Sequence, residues 1–285
     1  MKRQITQRLT TLDPERDYEE IVYLLQAFEF PWDCGRALEF ALFRTYAIPA
    51  ISALLAKTGE FLTRPRKRYD DTELILCEII EHGFESDRGR AALARMNQMH
   101  GRFRIANADF LYVLSTFVFE PIRWIDRFGW RSLSDIEKQG IFRFYCELGR
   151  RMNIEGIPAT IEEFATYNLE YERKNFHYSE TNVRVGSATR DLLLGFYLPP
   201  GLWPLGNWVV YALLDEPLRE AFGFPKAPLA LQATANTAVR LRSRLASYVP
   251  ERRKPYLATQ IQRPTYPEGY RIEELGTFRP SRKRD

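Results

Sequence analysis

Apolar residues recur at three- and four-residue spacing along almost the whole chain, and alternation of period two is sustained nowhere. That pattern constrains the fold more than any motif does, because a face built from i, i+3, i+4 and i+7 residues can be buried on a helix but not on a strand. Segments near 17–29, 35–57, 70–82, 87–100, 108–127, 134–151, 160–175, 180–198, 207–221 and 228–247 carry it, so the expectation is an all-α fold. Punctuation agrees. Asn107 or Asp109 can cap one helix start, Ser134 with Glu137 forms a capping-box pair, and Gly83, Gly101, Gly129 and Gly156 stand where helices should stop.

A chain of 285 residues with 45% hydrophobic content has enough apolar surface for one large core or two modest ones. There is no internal repeat and no Ser/Gly linker, which predicts a single domain: an N-terminal extension over 1–34, a helical domain over 35–248, and an irregular basic tail over 249–285 that packs back on it. Cys34, Cys77 and Cys146 form no C-x-x-C pair, which argues against a disulfide framework or zinc ribbon and for a reducing compartment. The opening "MKRQITQRLTTLDPERDYEE" has no apolar core of a secretory signal, so a cytoplasmic protein is expected.

Net charge is only +4, yet from Arg240 onward twelve Lys or Arg stand against five Asp or Glu. A basic end such as "RPSRKRD" is either solvated or drawn to an anionic membrane surface, and no nucleic-acid partner is expected. Residues 192–214, "LLLGFYLPPGLWPLGNWVVYALL", hold no charge, but Pro199, Pro200 and Pro204 would break a helix in mid-bilayer. Two shorter apolar helices around the Pro-Pro-Gly break are predicted, either buried or forming a greasy lip.

Two of the three histidines fall on consecutive helices of a predicted α-hairpin, where helical proteins build cofactor sites from facing side chains. Leu93, Met96, His100 and Phe103 share one stripe, with His100 in the last turn. There the imidazole suits a metal ligand, and equally a core histidine bonded to a carbonyl. Thr72, Ile75, Ile79 and His82 run down the preceding helix, with Arg68 just before them. No Gly-rich phosphate loop, G-x-S-x-G elbow or H-E-x-x-H motif is present.

The stretches "KRYDDTELILCEIIEHGFESDRGRAALARMNQMHGRF", "NADFLYVLSTFVFEPIRWIDRFGWRSLSDIE", "GRRMNIEGIP" and "YPEGYRIEELG" resemble the MpaB/rubber oxygenase family, over roughly residues 35 to 275. The resemblance is close to the MpaB branch and more distant to the latex-clearing proteins. It implies a single globin-like helical domain with extra helices, and a haem b held by one histidine. The implied reaction splits an isoprenoid C=C bond with dioxygen. The latex-clearing branch carries Arg-x-x-Lys-Thr on the distal side and a proximal histidine about thirty residues later. Here Arg68, Thr72 and His100 match, with His100 standing 28 residues past Thr72, and Asp71 replaces the lysine.

By that resemblance His100 is the axial iron ligand, Arg68 stabilises bound oxygen or a haem propionate, and Thr72 supplies a hydroxyl hydrogen bond; Asp71, where the motif departs, is by its chemistry a carboxylate able to accept or relay a proton. His82 is a possible outer-shell group. The substrate would be a small apolar molecule, isoprenoid or lipid-like, with a peripheral membrane contact as a possible partner surface. Two other classes stay open: a non-haem iron oxygenase using His82 and His100 with Glu78, Asp71, Glu170 or Glu172, and a non-catalytic lipid-binding helical protein.

Overall fold

A computed structural model describes residues 4–277, and all fourteen α-helices in it lie within that span. In chain order they are α1 (Gln4–Leu9), α2 (Tyr18–Leu24), α3 (Pro31–Thr45), α4 (Pro49–Thr58), α5 (Glu60–Thr63), α6 (Pro65–His82) and α7 (Asp87–His100). Then follow α8 (Asn107–Phe128), α9 (Asp135–Arg151), α10 (Ile161–Asn175), α11 (Glu180–Gly195), α12 (Trp203–Leu213), α13 (Glu216–Ala221) and α14 (Leu229–Ser247). A π-helix over Leu25–Glu29 joins α2 to α3. No strand occurs among the described residues, and the all-α expectation holds.

Local chemistry sets most helix ends. Ser134 and Glu137 form the expected capping box at α9, Thr160 and Glu163 form another at α10, and Ser86 accepts from the Gly89 amide at the start of α7. Neither Asn107 nor Asp109 caps α8: Ala106 holds the cap position, and the Asn107 amide instead exchanges hydrogen bonds with the Glu155 backbone. The predicted helix over 35–57 is two helices. Pro49 starts α4 after a bend of 100°, because proline lacks the amide needed to continue α3 but suits a first turn.

Buried side chains gather in two clusters. The larger runs through α2, α3 and α6 to α9, with Phe30, Phe84, Phe142 and Phe164 fully enclosed. The smaller joins Phe43, Tyr46 and Phe61 to Tyr211, Phe222 and Phe224. Arg44 lies between them, buried, donating to Glu172 at 2.5 and 2.8 Å and to Asp215, and so ties α3 to α10 and to the start of α13. A buried guanidinium is tolerable there because carboxylates meet its donors.

The uncharged segment does split into two helices around the Pro-Pro-Gly break, as α11 and α12. The outer face of α12 is a lip rather than core: Leu205 is 69% exposed, and Trp208 and Val209 are exposed beside it. No single helix among the described residues is long and apolar enough to cross a membrane.

Beyond Ser247 the chain is irregular and returns across α6 and α7 as a strap. Arg263 pairs with Asp70 at 3.0 Å and Glu73 at 2.5 Å, Thr265 donates to Asp70, and the Ala258 amide donates to Glu81 at 2.7 Å. Gly276, at φ +95°, passes Met99 so closely that a Cβ would strike the thioether. The basic stretch 279–285 lies outside the described residues.

Candidate active site

The site is built on the α6/α7 hairpin. Gly83, at φ +82°, turns the chain between them, and the Glu19 carboxylate receives the following Phe84 amide at 2.8 Å. Antiparallel packing then puts the C-terminal end of α7, with His100, beside the N-terminal end of α6, with Arg68 and Thr72. His100 Nδ1 is buried and has no hydrogen-bond partner. The ring meets Phe110 edge-on at 5.4 Å. Burial, helped by the nearby Arg68 charge, pushes the imidazole down to about 4 from its usual 6.5, so it is neutral at physiological pH. A neutral imidazole keeps a lone pair on one of its ring nitrogens, which is what a metal ligand needs.

Arg68 donates from Nη1 to the Thr72 hydroxyl, which donates in turn to the Arg68 carbonyl at 3.0 Å. The guanidinium carbon lies 5.4 Å from the centre of the Phe61 ring. Both residues line a cavity of about 20 Å³, closed by Leu42, Tyr46 and Leu192 among others. That is room for one molecule of water's size. A guanidinium has five donors, so Arg68 can serve Thr72 and still present N–H groups to a ligand.

The hairpin does not bring every sequence candidate to this place. Asp71, 2% exposed, accepts from Lys67 at 2.7 Å and from the Tyr266 hydroxyl, and Lys67 also reaches the Gly276 carbonyl at 3.2 Å. It holds the strap. His82 stands at the turn of the hairpin, 3.5 Å from Glu78, whose carboxylate also takes Arg88 and the Tyr270 hydroxyl. α7 alone, 14 residues long, separates the two histidines by about 20 Å of helix. Glu172 is committed to Arg44 and Tyr112, and Glu170 is exposed. The non-haem iron set therefore disperses, and no group of three His, Cys, Asp or Glu among the described residues could hold a metal ion.

Sequence reasoning missed the wall contributed by α3 and α11. Glu39, 7% exposed, accepts from Arg36 at 2.6 Å and from the Tyr69 hydroxyl at 2.9 Å, and so bridges α3 and α6 at the cavity's edge. Burial pushes its carboxyl up, against the pull of Arg36. The available signal was a lone acid inside the apolar stripe "RALEFALF", three residues from an arginine. Thr189, Leu192 and Leu193 bring α11 to the same cavity, and α11 packs in turn against α12.

The sequence profile of the "ER-bound oxygenase mpaB/B'/Rubber oxygenase, catalytic domain" matches residues 35–244, a span that includes α6, α7 and the cavity wall. The chain is 31% identical to the ER-bound oxygenase mpaB' of Penicillium brevicompactum over 277 residues, covering 88% of this chain and 65% of the relative. It is 34% identical to the ER-bound oxygenase mpaB of Penicillium roqueforti over 212 residues, covering 68% of this chain and 70% of that protein. To mpaB of Penicillium brevicompactum it is 36% identical over 245 residues, covering 77% and 62%. The chain thus spans about two thirds of the length of the curated relatives it matches. With a profile match over most of its length and identities above 30%, the chain belongs to the MpaB/rubber oxygenase catalytic-domain family.

Proposed function

We propose that the chain is a haem-dependent oxygenase that acts on an apolar isoprenoid or lipid-like chain, cleaving a C=C bond with dioxygen. One observation carries the reading: the half-buried His100 is neutral, its Nδ1 is buried and unpartnered, and it feels the charge of Arg68, which is bonded to the Thr72 hydroxyl on the preceding helix. Those residues fit a b-type haem in the sense that matters for ligation. His100 would hold the iron, and Arg68 and Thr72 would supply polar groups near it. The haem supplies, when bound, an open iron position for dioxygen chemistry. Arg68 offers positive charge and N–H donors to a polarised ligand, and Thr72 fixes the guanidinium through its hydroxyl. Because the cavity beside them holds about one small molecule, seating a porphyrin requires the surrounding side chains to part. Asp71 takes no proton-relay role, since Lys67 and Tyr266 already occupy its oxygens.

The relatives are named ER-bound oxygenases, which supports the reaction class and a working place at a membrane. We place the chain on the cytoplasmic side, touching the bilayer peripherally through the α12 lip, with the apolar substrate entering along α11. The test is an absorbance spectrum of the purified protein with iron analysis. A Soret band that disappears in His100→Ala while helicity persists is expected. Full haem occupancy in that variant, or a colourless wild-type protein that co-purifies with lipid and consumes no oxygen, would overturn the reading.

A further inference from the structure

Two cavities lie end to end between the same two helices. α3 lines the one at the site with Glu39 and Leu42, and an inner one with Cys34 and Leu38. α6 lines the first with Arg68 and Thr72, and the second with Leu76, Cys77 and Ile80. From Leu42 to Leu38, and from Thr72 to Leu76, is four residues, or about 6 Å of helical rise. The inner cavity is therefore one turn deeper along both walls. Its volume is about 40 Å³, twice that of the outer one.

Two departures from regular helix border this space. Leu25 and Gln26 enter it from the π-helix, a wider turn that shifts side chains out of the regular helical register. Pro121 enters it from inside α8, where its missing amide interrupts the hydrogen-bond ladder. No charged side chain among the described residues lines it. Its polar groups are few: the Gln26 amide donates to Cys77 Sγ at 3.3 Å, the Tyr145 hydroxyl stands on one wall, and burial pushes the Cys34 and Cys77 thiols up, so both stay protonated. A buried water needs two to four good partners, whereas an apolar void stays dry and accepts xenon or similar guests.

We propose that the inner cavity is a docking site for a small apolar gas molecule, dioxygen in the proposed reaction, held one helical turn from the Arg68/Thr72 cavity. Its purpose rests on the oxygenase reading above, while its binding rests on the cavity alone. The experiment is xenon pressurisation of crystals of the full chain. One xenon atom is expected between Leu38, Leu76 and Ile141, and it should vanish both in Leu76→Phe and in Ile141→Phe, which fill the space from α6 and from α9. Ordered water in the wild-type cavity, no xenon there, or xenon retained in place in either filled variant would overturn the proposal. A protein that binds xenon there but has no Soret band would overturn the haem reading alone. A Soret band together with a water-filled cavity would overturn the gas site alone.

Discussion

At the scale of single residues, His100 links stability to pH. The unfolded imidazole takes up a proton near 6.5, while the folded one resists until about 4. Between those values the unfolded state binds more protons, so the stabilisation is complete above pH 6.5 and is lost as pH falls toward 4. A shift of this size is worth on the order of 3 kcal/mol. Denaturant unfolding of the metal-free chain at pH 7.5 and pH 4.5 should show that loss, and His100→Phe should flatten it. An identical pH slope in the variant would mean that other groups carry it. Arg68 and Thr72 make a different prediction. Alanine at either position should leave the Soret band intact and slow dioxygen consumption, because in the proposed reading these groups serve the ligand and do not hold iron. Loss of haem in Thr72→Ala, with unchanged activity per remaining haem, would contradict that division of labour.

At the scale of elements, Arg263 is the strap's anchor on α6. Its partner Asp70 is fully buried, so Arg263→Ala removes a cation from a carboxylate that keeps only Arg66 and Thr265. A cost of about 3 kcal/mol is expected in denaturant unfolding, the low end for breaking a buried pair. A change under about 0.5 kcal/mol, typical of surface positions, would show that Arg66 suffices. Elements were also where the sequence was most legible. The helical stripes, the Ser134 capping box and the Pro-Pro-Gly break are local chemistry, decided within four residues of chain. The Pro49 bend escaped notice because the apolar stripe of α3 continues into α4 without a change of period. His100, Arg68 and Thr72 were readable as a group because helix spacing and a family motif both mark them. The contacts of Asp71 with Tyr266 and of Asp70 with Arg263 join residues more than 190 positions apart, and nothing in local periodicity reports such pairs.

At the scale of the whole molecule, the neighbouring helices α12 and α14 and the chain just beyond them carry a group of exposed apolar residues together with exposed cations. Leu205, Trp208 and Val209 on α12 are exposed, as are Leu241 and Leu245 on α14 and Tyr248 just beyond it. Exposed Arg240, Arg244, Arg252, Arg253 and Lys254 stand among them. Apolar and aromatic groups that enter the headgroup layer, with cations each worth about 1 kcal/mol against anionic lipid, describe an interfacial surface. The chain should co-sediment with anionic vesicles at low salt, and the double variant Leu205→Glu, Trp208→Glu should release it with its helicity intact. Equal and negligible binding to anionic and neutral vesicles would remove the peripheral contact from the proposed function.

The strap also sets the order in which the molecule can be finished. α6 and α7 are neighbours in sequence and can pair while later residues are still being made, whereas the strap's bonds to α6 close loops of 177 to 209 residues. Docking of the strap is thus the slowest and last of these contacts. Until it happens, Asp70, Asp71, Glu78 and Glu81 lack the Arg263, Tyr266, Tyr270 and Ala258 groups that later neutralise or bond them. Arg66, Lys67 and Arg88, within the hairpin itself, still face Asp70, Asp71 and Glu78, but each carboxylate is then only partly satisfied and stays more hydrated. The hairpin bearing His100 is thus complete in its own helices before the strap arrives, but gains its last bonds only from residues at the far end of the chain.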